Sequence, residues 1–145
     1  MLLILSGCKE TSTEEVFKPQ IDKYLAFWNT GNLAGVENVL CQDFQLREVP
    51  DFKPAEGIES FKKEMQQLHS MGFWLKLDEV IYADSTVTVR WTCGVTYPDN
   101  TGTPKIPVQG RGISLLHFRD GKIHDEWLAY DNKSWMGQLG YKMVK

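Results

Sequence analysis

The chain contains no apolar run approaching the roughly 20 residues that a membrane-spanning helix needs. It also lacks a basic run. Its 16 Lys and Arg stand against 19 Asp and Glu, a net charge of −3. The stripe that would neutralise phosphates is missing, so no nucleic-acid partner is expected. Cysteine is scarce, with three in 145 residues. Cys41 and Cys93 lie in "NVLCQDF" and "RWTCGV", without metal-ligand spacing to a histidine or to each other, so no metal site is predicted. They read as two buried thiols, or as a disulfide if the domain faces an oxidising compartment. No internal repeat, low-complexity stretch or second domain is visible, and the length suits one core.

Aromatics are what the chain has in quantity. Five Trp, five Tyr and seven Phe favour a large core or an aromatic-lined pocket.

The first eight residues, "MLLILSGC", form an apolar run ending in a cysteine. Leu5, Ser6, Gly7 and Cys8 resemble the lipobox of a bacterial lipoprotein signal. That resemblance implies cleavage before Cys8, a diacylglyceryl group on its sulfur, and a lipid-anchored protein of the bacterial cell envelope. Residues 1–12 are then signal remnant and polar tether, and residues 13–145 the domain. The alternative is an ordinary apolar terminus on a cytoplasmic protein, with Cys8 a free thiol.

Along the domain, Phe17, Ile21, Tyr24, Leu25 and Trp28 recur at spacings of three and four, which predicts a helix over 13–29. Thr13 is placed to cap it and Gly31 to end it, and Pro19 leaves its start open between Thr13 and about Lys18. A short second helix through about Leu40 follows, then a strand over 43–49 and a Pro/Gly loop. "IESFKKEMQQLHS" predicts a third helix, and "NKSWMGQLGYKMVK" a tail with one helical turn. Four strands fill the region between them. Helices grouped early and strands late predict an α+β fold, a cone-shaped curved antiparallel sheet packed against three helices.

The last hairpin, "LLHFRDGKIHDEWLAYD", carries the polar residues of interest. A two-residue turn at Asp120-Gly121 would pair residues 119 and 122 and set His117 opposite His124. A three-residue turn with a bulge at Gly121 would instead gather Arg111, Ile113, Leu115 and His117 with Ile123, Asp125, Trp127, Ala129 and Asp131 on one face. The second arrangement is preferred, because it collects Ile113, Leu115, Ile123 and Trp127 on one apolar face. Leu116, Phe118, Leu128 and Tyr130 then form an outer patch too large to leave wet, with Glu126 among them. A homodimer through that outer sheet face is expected.

"RDGKIHDEWLAYD…QLG" resembles the end of a SnoaL-like polyketide cyclase (ester cyclase) domain, of the nuclear transport factor 2-like, ketosteroid-isomerase-like superfamily. "FWNTGNL", "GIESFKKEM", "VRWTCGVTY" and "NTG" extend the resemblance upstream. It implies a cone holding a small apolar carbonyl compound, with no metal or organic cofactor. It also implies a catalytic acid/base matching Asp131, assisted by His117, and enolisation followed by cyclisation or isomerisation. Tyr24, Trp28 and Trp127 would supply flat walls. Arg47 stands where the family often has His or Asn, and suits an anionic ligand group. The rival reading is a non-catalytic, lipid-anchored module for hydrophobic ligands or assembly.

Overall fold

The computed structural model describes residues 12–98 and 104–142. Cys8, most of the tether and the 100–102 segment of the family pattern therefore lie outside the described residues.

Helix α1 runs Thr13–Thr30. Ser12, not Thr13, is its cap: the Ser12 hydroxyl accepts from the Glu15 N–H at 3.2 Å, and the Glu15 carboxylate accepts from the Ser12 N–H at 3.0 Å. This box holds the first turns together although Pro19 lies inside the helix and donates no hydrogen bond. Phe17, Ile21, Tyr24, Phe27 and Trp28 are its buried face. Gly31, at φ 65°, ends it in the left-handed conformation.

The predicted second helix is only a 3-10 turn, Val36–Asn38. Leu40 already belongs to strand β1, Leu40–Glu48. Val36, Val39 and Leu40 are buried, as a helical face would be, but the strand absorbs the last of them. The loop reading of "PDFKPAEG" is also corrected: Phe52–Glu56 forms strand β2, paired antiparallel to β1 at the edge of the sheet. Edge placement is where a strand can carry Pro54.

Helix α2 spans Ile58–Ser70, with Ile58, Phe61 and Met65 buried. Strands β3 (Trp74–Ala83), β4 (Thr86–Pro98), β5 (Pro104–Arg119) and β6 (Lys122–Tyr130) follow, then helix α3, Asn132–Gln138. The three helices are thus not the three expected, since α3 replaces the short second one.

The sheet order is β2-β1-β6-β5-β4-β3. Every pairing is antiparallel except β1 with β6, which is parallel and brings the start of the sheet to its last strand. Helices α1 and α2 cover one face of this curved, unclosed sheet. Between helices and sheet lies a core containing Phe44, Phe61, Leu40, Leu46, Leu116 and Ile123, all fully buried. Each such side chain stabilises the fold by about 1.5–3 kcal/mol.

The β5–β6 hairpin uses the turn that sequence reasoning set aside. Arg119 pairs with Lys122 across Asp120-Gly121, whose φ values are 53° and 74°. Two positive-φ residues suit the twist of a tight hairpin, and Asp-Gly is a favoured pair for it. The bulge lies further on: Phe118 pairs with Ile123, but His117 pairs with Asp125, so His124 is the extra residue. The bulge sends Ile123 inward while Asp125 and Trp127 stay with Leu115 and His117. The face expected to be concave is therefore the outer one. Ile113, Leu115 and Trp127 on it are 51%, 37% and 39% exposed. Leu116 and Phe118, expected outside, are buried against the helices.

Candidate functional site

Helices and sheet leave a cavity of about 200 Å³ between them. From the sheet, β1 contributes Leu46 and Glu48, β4 contributes Trp91, Cys93 and Tyr97, and β6 contributes Glu126, Leu128 and Tyr130. Pro54 of β2, Leu75 of β3, Trp28 of α1, Glu64 and Leu68 of α2, Phe73 and, from α3, Trp135 complete the walls. Two glycines on β5 make room for these rings. A Cβ on Gly110 would stand 2.6 Å from the Trp135 ring, and one on Gly112 would overlap that of Trp91. Gln138 locks α3 over β5 by bonding both the N–H and the C=O of Gln109 at 3.0 and 2.8 Å.

Glu126 is the polar centre. It pairs across the sheet with Leu46 and Leu116, both fully buried, and is itself only 6% exposed. The Tyr24 hydroxyl donates to its carboxylate at 2.5 Å. Burial raises the pKa of Glu126 above the ordinary carboxylate range, while the neighbouring Ser114 and Tyr24 hydroxyls oppose the rise. Burial also lifts Tyr24 well above its usual value. The Glu126 charge and hydrogen bond add to that, and the Trp28 indole opposes it. Ser114 is held in turn by the Trp91 indole N–H, which donates to its hydroxyl at 2.8 Å. The Trp28 Nε1–H is buried and has no hydrogen-bond partner among the described residues. Burial and the nearby Glu48 charge raise Tyr130, and burial pushes the Cys93 thiol up to about 11. Cys41 and Cys93 are both free and buried.

Of the residues singled out from sequence, Trp28 lines this cavity, and Tyr24 lies behind it, reaching it only through its hydrogen bond to Glu126. The others do not. His117 is on the outer face, where its Nδ1 meets Asp125 at 2.6 Å; the second Asp125 oxygen meets His124 at 2.9 Å. Asp131 caps α3, its carboxylate accepting from the Ser134 N–H at 2.9 Å. Its own N–H bonds to Arg111 O, six strand residues from His117, roughly 20 Å along β5. The two therefore do not converge on one point. Trp127 also faces outward, with the Arg47 guanidinium 4.9 Å from its ring centroid and hydrogen-bonded to Gln45. His117, Asp125 and Trp127 share one face as expected, but the helices cover the opposite face, that of Leu116 and Phe118.

Sequence reasoning placed Glu126 outside. One signal for it was present in "QGRGIS", where Gly110 and Gly112 share a strand face. Alternate glycines on a strand mark a close approach by something large, here Trp135 and Trp91. Among the described residues no group of three His, Cys, Asp or Glu side chains is placed to hold a metal.

Residues 20–139 match the family model described as SnoaL-like polyketide cyclase, and the chain belongs to that family. No curated protein matches it. Solved structures with the same fold are numerous. A provisionally named polyketide cyclase from Bacillus cereus ATCC 10987 superposes with a TM-score of 0.69 at 22% identity, covering 87% of this chain and 81% of its own. An LEH-like epoxide hydrolase of M. tuberculosis gives 0.69 at 16%, covering 86% and 84%. A ketosteroid isomerase-like protein from Catenulispora acidiphila DSM 44928, in complex with trimethylamine, gives 0.69 at 17%, covering 85% and 93%. At these identities the likeness shows the nuclear transport factor 2-like fold.

Proposed function

We propose that the domain binds a small, largely apolar carbonyl compound in the cavity and moves a proton next to that carbonyl, with Glu126 as the acid/base. The observation that carries this reading is the buried Glu126 carboxylate, bonded to Tyr24 and lining an aromatic cavity. A carboxylate whose pKa is raised by burial is a stronger base near neutral pH than an exposed one. The Tyr24 O–H is committed to Glu126, so it orients the base rather than the substrate. Trp28 lines the cavity, and its N–H, which lies beside the Tyr24 hydroxyl without forming a full hydrogen bond, supplies the donor for the carbonyl oxygen.

In the step itself, Glu126 takes the proton from the carbon beside the carbonyl. The C–H electron pair moves into the carbon framework and leaves negative charge on the oxygen, where the Trp28 N–H stabilises it. Return of the proton to another carbon completes an isomerisation. Attack of the enolate carbon on a second carbonyl in the same molecule closes a ring, the π pair of that carbonyl passes to its oxygen, and this oxygen takes the proton back from Glu126. A neighbour of the same fold described with trimethylamine bound supports a cavity sized for small organic molecules.

The test is deuterium exchange beside the carbonyl of a small aryl ketone, followed by NMR. Glu126→Gln should lower the exchange rate by about 10²-fold or more. Exchange that persists in the variant removes Glu126 from the chemistry. Binding of the ketone without exchange in the wild type supports the non-catalytic rival instead.

Two further proposals concern the surroundings. The lipobox-like Leu5–Cys8 supports a lipid anchor on Cys8 and an envelope location; labelling with a radioactive fatty acid should disappear in Cys8→Ser. A homodimer, if it uses the outer face, must use Ile113, Leu115 and Trp127, the residues exposed there; Ile113→Glu should then halve the mass measured by light scattering.

A further inference from the structure

The cavity carries more negative charge than the proton transfer needs. Glu48 on β1 and Glu64 on α2 line it along with Glu126. Among the described residues no Lys, Arg or His lines it, and none forms an ion pair with Glu48 or Glu64. Burial, and then repulsion from Glu48, raises Glu64 above the ordinary carboxylate range. Two like charges beside one apolar hollow are a cost that a cation between them would relieve.

Aromatic rings line the cavity together with these carboxylates. Trp135 stands at 83° to Tyr97 with centroids 6.4 Å apart, and at 72° to Tyr130 with centroids 5.7 Å apart. The pairs pack edge to face, and all three residues line the cavity, so it offers aromatic surface of the kind on which alkylammonium groups bind.

We propose that the ligand bears an amine cation, protonated or quaternary, seated between the Trp135–Tyr97–Tyr130 corner and the Glu48 and Glu64 carboxylates. This rests on the cavity being the ligand site, as argued above, and adds the charge of the ligand to that reading. An anionic ligand, which Arg47 suggested, would meet three carboxylates in the cavity, while Arg47 itself sits over Trp127 on the other side of the sheet.

The test titrates the full chain with choline and with 3,3-dimethylbutan-1-ol, its uncharged carbon isostere, by calorimetry and tryptophan fluorescence. Choline should bind roughly tenfold or more tightly than the isostere. The Glu48→Gln, Glu64→Gln double variant should lose that preference while its affinity for the isostere is unchanged. Trp135→Leu should weaken choline without moving the melting curve by more than the loss of one partly buried ring. Isostere binding as tight as choline overturns the proposal. If neither binds but a neutral aryl ketone does, the cation falls and the ligand cavity stands. If none of the three binds, both fall.

Discussion

Removing one oxygen atom, in Tyr24→Phe, probes the centre of the site. The native hydroxyl donates to Glu126 at 2.5 Å inside a region where both side chains are buried. A hydrogen bond to a buried charged group contributes about 1.5–3 kcal/mol, and losing one partner leaves the other desolvated and unpaired. For a chain of this size each kcal/mol corresponds to about 2–4 °C in Tm, so a fall of roughly 3–12 °C is expected near neutral pH.

The loss should also depend on pH, with a defined sign. Burial sets the folded-state pKa of Glu126 above its ordinary 4.5, so the folded protein holds that proton more tightly than the unfolded chain. The stability this group confers is complete below its unfolded pKa of 4.5 and is lost as pH rises through the folded pKa. The Tyr24 hydroxyl opposes the rise, so removing it in Tyr24→Phe would lift that pKa further and steepen the loss. The gap between wild type and variant should therefore be widest at about pH 7–8 and close as pH approaches the ordinary carboxylate range. Urea unfolding of both proteins across the intervening pH values measures this directly. A gap that stays constant across the range, or one below about 0.5 kcal/mol near neutral pH, refutes the account of Glu126 as a buried carboxylate held by Tyr24.

Three other outcomes follow from particular contacts. Gly112→Ala drives a Cβ into the Trp91 ring and to 2.6 Å from the Ala129 carbonyl, so thermal melts should show a loss of about 1–3 kcal/mol, and ligand affinity should fall with the displaced Trp91 wall. Asp131→Ala removes the cap of α3; it should cost about 1 kcal/mol but leave ketone exchange intact, and abolished exchange would return Asp131 to the chemistry. Cys93 is buried with its thiol raised to about 11, so native protein at mildly alkaline pH should resist iodoacetamide at that position, as read by mass spectrometry, until denaturant is added.

The elements that were legible in the sequence are those whose signal is local. The three-and-four spacing from Phe17 to Trp28 produced α1 nearly to the residue, and the "IESFKKEM" face produced α2. Strand β2 and the short second helix were misread because Leu40 and Ala55 are buried by pairing partners that a local window does not contain, Ile123 for the first and Leu46 across a turn for the second. The site failed to emerge for a different reason. Both faces of the β5–β6 hairpin are apolar: Ile113, Leu115 and Trp127 on one, Leu116, Phe118 and Leu128 on the other. Alternation fixes which residues travel together, yet it cannot say which set meets the helices. A single inserted residue at His124 then moved Ile123 from one set to the other. What breaks the symmetry is volume. Only the inner face carries Gly110 and Gly112, and only there do Trp91 and Trp135 close onto backbone. A carboxylate such as Glu126 on that crowded face must be buried, hydrogen-bonded and shifted in pKa. The same residue on the outer face would be an ordinary solvated glutamate. Its chemistry thus depends on which face of the sheet the helices cover, a choice that the glycines of the neighbouring strand mark and its own neighbours in sequence do not.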